Sequence, residues 1–172
     1  MKIVRQSVIA TFLGLGAPMA LVAQDLVPRG SFTITITGQK QGVFPSVNKG
    51  GAIDGLRFSH LLKSPRDPAS GLPTGKRQHS PVVFTKAVGM ASPQIFSALT
   101  TNEVLASVVV SVPGGYTIKL TNAGVSEVKQ YTEVVNGVTT VLEDVSFTYQ
   151  KIEVRDPATG SVATDDWSSP VS

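Results

Sequence analysis

GVSEVKQYTEVVNGVTTVLEDVSFTYQKIEV, residues 124–154, decides the fold class. Two runs rich in Val, Thr, Tyr and Ile flank Asn136-Gly137. Such residues suit the pleated, half-buried surface of a strand. Asn-Gly tolerates the positive φ angles of a tight hairpin turn. The stretch is therefore predicted to be two strands joined by a turn. Upstream, EVLASVVVSV (103–112) and GYTIKLTN (115–122) read as two more strands, linked by the turn at Pro113-Gly114-Gly115. Asn122-Ala123-Gly124 is predicted to turn the second of these into the opening run. Downstream, DPATGS (156–161) leads into a short final strand ending at Asp165-Asp166-Trp167.

The N-terminal half repeats the theme. SFTITITG (31–38) alternates strictly, with Phe32, Ile34 and Ile36 on one face and Thr33, Thr35 and Thr37 on the other; that period marks a half-buried strand. QKQGVFPSVNKGG (39–51) reads as a loop, and AIDGLRFSHLL (52–62) as a strand with a bulge or close contact at Gly55. KSPRDPASGLPTGK (63–76) holds three Pro and two Gly. It is predicted to be a long extended loop, and loops of that length are usually functional. QHSPVVFTKAV (78–88) is a strand that Pro81 confines to an edge or a strand start. ASPQIFSALTTN (91–102) reads as a short helix, with Ser92 as N-cap, Pro93 at the first helical position, and Ile95, Phe96 and Leu99 as its apolar face.

Composition agrees with an all-β domain. The chain has 172 residues, 41% hydrophobic and 16% charged, with 16 Gly and 11 Pro to make turns; this is enough for one domain with a true core. Lys2 and Arg5 precede the uncharged run SVIATFLGLGAPMALVA, and the layout is that of a secretory signal peptide over residues 1–23. The run is short for a membrane span, and Gly14, Gly16 and Pro18 interrupt it. Residues 24–31 form a lead-in whose LVPRGS (26–31) matches a thrombin recognition sequence. The domain proper is expected over 32–172. Without Lys2 and Arg5, the remaining 13 of the 15 Lys and Arg nearly balance the 12 Asp and Glu, which gives no case for nucleic acid as a partner. An exported chain with no Cys must depend on its core or on self-association.

Chemistry is thinly provided. The two histidines, His60 and His79, lie in no nucleophile motif. No spacing of His, Asp or Glu suggests a metal; Asp165-Asp166 reads as a solvated end or an interface ion pair. Pro113-Gly114-Gly115 leads into no helix and so cradles no phosphate. The expectation is no enzyme, no cofactor and no metal.

A resemblance gives the basic trio Lys76, Arg77 and His79 a different meaning. SPRDPASGLPTGKRQHSPVVFTKAVGMASPQIFSAL (64–99) resembles the signature of the haemolysin-coregulated protein (Hcp) family, the tube protein of type VI secretion, at Thr74, Gly75, Lys76, Arg77, His79, Pro81, Thr85, Lys86, Ser92, Pro93, Ala98 and Leu99. The likeness continues through residues 116–132 and 142–154 to Trp167. Gly89-Met90 stands where the family often has an acidic residue, and the leader resembles only a subset of members. The resemblance implies a mainly β fold: two packed antiparallel sheets forming a β-barrel, one short helix and a long extended loop. It implies a homohexameric ring, able to stack into a hollow tube whose lumen takes effector cargo. On this reading Ser64, Pro65, Arg66, Asp67 and Pro68 of the loop, and Lys76, Arg77 and His79 at its anchor, serve the assembly interface. The protein is expected outside the cytoplasm, secreted or periplasmic, with no membrane association once the leader is removed. The other reading is an exported binding module with the same fold outside any secretion machine.

Overall fold

A computed structural model describes residues 32–167. The leader over 1–23 and the lead-in over 24–31 lie outside the described residues. Eleven strands run in chain order: β1 Phe32–Gly38, β2 Gly42–Val43, β3 Ile53–Gly55, β4 Arg57–Ser59, β5 Leu62–Lys63, β6 Gln78–His79, β7 Val82–Ala87, β8 Leu105–Ser111, β9 Thr117–Val135, β10 Val138–Asp156 and β11 Ser161–Asp166. Among the described residues one α-helix, α1 Ser92–Thr100, lies between β7 and β8, and a short 3-10 turn spans Lys49–Gly51.

Nine strands share one antiparallel sheet in the order β2-β1-β8-β9-β10-β7-β4, with β11 also on β10 and β3 also on β1. The continuous segment 53–59 pairs with β1 over Ile53–Gly55 and with β7 over Arg57–Ser59. Leu56 between them donates its N–H to the Thr85 carbonyl at 2.8 Å. The two sides of the sheet are thus joined through a single length of chain, and the sheet wraps around one core. Gly55 sits at this junction because a Cβ there would lie 2.2 Å from the Phe32 ring.

The alternation read in β1 holds: Phe32, Ile34, Ile36 and Gly38 are buried and the threonines are half-buried. Phe84 of β7 and Phe147 of β10 stack with centroids 5.2 Å apart and planes within 9°. Ile34, Ile36, Leu105, Leu120 and Val145 complete an apolar interior. Each such side chain contributes about 1.5–3 kcal/mol on leaving water.

Three expectations need correction. Asn122-Ala123-Gly124 is no turn: β9 runs unbroken from Thr117 to Val135. Asn122 does adopt φ 48°, but ladders to β8 and β10 hold both edges of the strand there, and its amide donates to Gln150 Oε1 at 2.9 Å. Ser92 is not an N-cap. It lies inside the helix after Ala91, and its hydroxyl accepts from the Lys86 ammonium and donates to Glu143. Phe96 does not belong to the buried face; it is 62% exposed, while Ile95 and Ala98 are buried. At Asn136-Gly137 the turn is as read, with φ angles of 51° and 80°.

The Ser92 finding belongs to a larger device. Lys86 Nζ lies 2.5 Å from Glu143 Oε1, with both side chains 1% exposed. Gln130 donates to Glu143 Oε2 at 3.0 Å, and Gly89 N–H donates to Ser92 Oγ at 2.9 Å. Burial lowers the Lys86 pKa, against the opposing pull of Glu143. The pair ties β7, α1, β9 and β10 together at one point. No described helix is long and apolar enough to cross a membrane.

Candidate functional site

The Pro-rich stretch after β4 is an ordered arm. Its stem is the β5–β6 pair, Leu62 opposite His79 and Lys63 opposite Gln78. Above the stem, Thr74 N–H donates to the Pro65 carbonyl at 3.0 Å, and Arg66 bridges to Pro73. Asp67 organises the tip: one oxygen accepts from the Ala69 and Ser70 N–H groups and the Ser70 hydroxyl, at 3.0, 2.6 and 2.9 Å. Those bonds from Ser70 lower the Asp67 pKa. Gly71, at φ 70°, returns its N–H to the Asp67 carbonyl, and Arg66 Nη1 reaches the Gly71 carbonyl at 3.0 Å. Asx turns of this kind fix a loop without a hydrophobic core. The arm presents Leu61, Leu62 and Leu72 to solvent, Leu72 at 65% exposure. Ser64, Pro68 and Lys76 are exposed, and Pro65 is half-buried.

Arg77 and His79 face inward at the root. Arg77 Nε donates to Asp165 Oδ2 and Nη2 to the Asp166 carbonyl at 3.0 Å. His79 contacts the same Asp165 oxygen through Nε2 at 2.6 Å and the Tyr149 hydroxyl through Nδ1 at 2.8 Å. His60 Nε2 lies 2.8 Å from that hydroxyl on its other side. One set of tautomers satisfies these three contacts: His60 Nε2–H donates to Tyr149, Tyr149 O–H to His79 Nδ1, and His79 Nε2–H to Asp165. Burial raises the Asp165 pKa, but the bonds from Arg77 and His79 outweigh it and the net shift is downward. Burial, then the Asp165 charge, pushes the Tyr149 phenol up to about 12. Burial, then the nearby His79, lowers the His60 pKa.

Asp165, His79 and a hydroxyl have the order of a hydrolytic triad, but not its chemistry. The hydroxyl is a phenol held protonated, and the His79 side chain is 2% exposed. A nucleophile needs both a base and access to substrate. Beside this root lies a cleft of about 330 Å³ lined by His79, Ser80, Pro81, Thr148, Tyr149 and Trp167. The Trp167 ring sits 5.1 Å from His79. Among the described residues no group of three or more His, Cys, Asp or Glu could hold a metal.

Of the residues expected at the interface, the structure brings Arg77 and His79 together at the root, and sets Ser64, Arg66, Asp67, Pro68 and Lys76 along the arm. Asp165, read as a solvated end or an interface ion pair, binds within its own chain. His60, Tyr149, Lys86 and Glu143 carry the polar networks; Lys86 stands in the family signature, but no local pattern marks any of the four as part of a network.

An antiparallel sheet wrapped around one core, with a projecting arm and one short α-helix, defines the class by its fold. The family described as "Type VI secretion system effector, Hcp" matches residues 34–155, and the chain belongs to it. It is 38% identical over 163 residues to the "Major exported protein" of Pseudomonas aeruginosa, covering 86% of this chain and 91% of that one. A solved Hcp protein superposes with a TM-score of 0.70 at 28% identity, covering 79% of this chain and 98% of that chain. A secreted Hcp protein of Pseudomonas aeruginosa gives 0.63 at 30% identity, covering 80% and 98%. The protein is accordingly a tube-type component of type VI secretion and not an enzyme.

Proposed function

We propose that six copies of this chain close into a ring, that rings stack through the arm, and that the lumen carries effector cargo. The observation that carries the reading is the arm: an ordered projection bearing three exposed leucines. Contacts of head-to-tail type need two different patches on each subunit. A preformed arm loses little entropy on docking, which suits one of them. Among the described residues β11 lies at a sheet edge beside β10, which suits the addition of a strand from a neighbour around the ring. Ser64, Pro65, Arg66, Asp67, Pro68 and Lys76 form the docking element, and Arg77 and His79 hold it in place. The leader directs export, and the mature chain begins near Gln24.

Replacing residues 64–73 by a tight turn tests the reading, with sedimentation and electron microscopy as readouts. The barrel should stay folded and rings should persist while stacking is lost. Intact stacks after the deletion would overturn the role of the arm, and a wild-type monomer at high concentration would overturn the ring.

A further inference from the structure

Two apolar elements of this chain stand open to solvent at opposite ends of the arm. At its tip, Leu72 is 65% exposed and is followed by the exposed Pro73. At its root lies the cleft walled by Pro81, Tyr149 and Trp167, a mostly apolar lining in which the Trp167 ring keeps 54% of its surface exposed. We propose that the root cleft of one copy receives the Leu72 tip of another copy. This inference rests on the reading that rings stack through the arm, and it names the surface on which the arm lands.

The tip does not fill the cleft of its own chain. From Leu62 opposite His79 to Arg66 opposite Pro73 the arm climbs four residues on one side and six on the other. At about 3.3 Å per residue this sets the tip roughly 13–20 Å from the root. The Thr74 to Pro65 hydrogen bond and the Asp67 turn hold it there. The match between tip and cleft is also electrically neutral. Arg66 is spent on the Gly71 carbonyl and Asp67 on Ala69 and Ser70. In the cleft, both His79 nitrogens are spent on Tyr149 and Asp165, and the Tyr149 hydroxyl on the two histidines. Docking therefore strands no charge, and a buried unpaired charge is what most often makes such a contact unfavourable. Tip and cleft are unlike patches, so the contact is head-to-tail: each copy that receives a tip still has its own tip to offer, and the contact propagates from ring to ring.

The chain has no Cys, so introduced thiols report on a single contact. Leu72→Cys and Thr148→Cys, with residue 148 on the cleft wall, are made as separate proteins, mixed and oxidised. The mixed 72–148 disulfide should form at least about tenfold faster than the disulfide of either variant alone, because docking raises the effective thiol concentration. The wild-type mature chain gives a second readout through Trp167, its one tryptophan. Its emission should move to shorter wavelength as stacks form, and Leu72→Asp should abolish both the stacks and the move while far-UV circular dichroism is unchanged. Wild-type stacks seen by electron microscopy, with neither the mixed disulfide nor the emission move, would overturn this inference and leave stacking in place. An emission move retained in Leu72→Asp would give the cleft to another occupant and overturn it as well. A wild-type chain that forms no stacks would overturn both this inference and the reading beneath it.

Discussion

Glu143→Gln isolates the worth of the buried charge pair. The substitution keeps the shape and an acceptor for Ser92 and Lys86, removes the negative charge, and replaces the oxygen that accepts from Gln130 with an amide nitrogen. The Lys86 ammonium, 1% exposed, then faces neutral acceptors alone. Breaking a buried pair from one side costs about 3–5 kcal/mol, because the remaining charge is left uncompensated. A domain holds only about 5–15 kcal/mol in total. With a urea slope of about 1–3 kcal/mol/M, the unfolding midpoint should fall by roughly 2 M. Equilibrium unfolding in urea, followed by far-UV circular dichroism, measures this directly. The double variant Lys86→Met with Glu143→Leu should recover most of the loss, since well-packed apolar replacements of buried pairs are often neutral or better. A single-variant loss below about 1 kcal/mol, the range of exposed pairs, would refute the reasoning, because the ammonium would then be reaching water.

On α1, Ile95→Ala should cost about 2–5 kcal/mol, as a fully buried aliphatic side chain does. Phe96→Ala should stay within about 0.5 kcal/mol, since that ring is exposed; thermal unfolding of both variants checks the contrast. Gly55→Ala drives a methyl group into the Phe32 ring and should destabilise by about 1–3 kcal/mol, relieved in part by Phe32→Leu, as a double-mutant cycle would reveal. Asp165→Asn should increase proteolytic nicking within residues 63–76 without lowering the unfolding midpoint by more than a few tenths of a molar in urea.

The parts of the fold that could be read locally are those fixed by local chemistry. β1 declares itself by alternation, and the β9–β10 turn by two adjacent residues that accept positive φ. Asn122-Ala123-Gly124 presents the same local signal as a turn, yet the ladders from β8 and β10 override it. Nothing within ten residues of Asn122 carries that information. The face of α1 was ambiguous for a related reason: residues 95, 96 and 99 lie within one broad arc, as do 95, 98 and 99. Only contact with β9 chooses between them. Ser92 looked like a cap because the partner that recruits it, Glu143, lies 51 residues away. Arg77 and His79 drew notice through the family signature, but their partner Asp165 is more than 80 residues distant. His60 and Tyr149 have no periodic or motif signal at all. Polar networks closed across such separations are properties of the folded chain.

The segment 53–59, which links β1 to β7, also governs the order in which the barrel can form. β1 finds its long partner only when β8 has arrived, and β7 finds its own only with β10. The β9–β10 hairpin is the long element that can assemble from neighbouring sequence. Pairings over such distances carry a loop-closure cost before any contact rewards it, so all-β domains fold in milliseconds to seconds. Until then the apolar strands β1 and β7 remain open along their edges. Under the leader-directed export proposed above, that delay keeps the chain threadable.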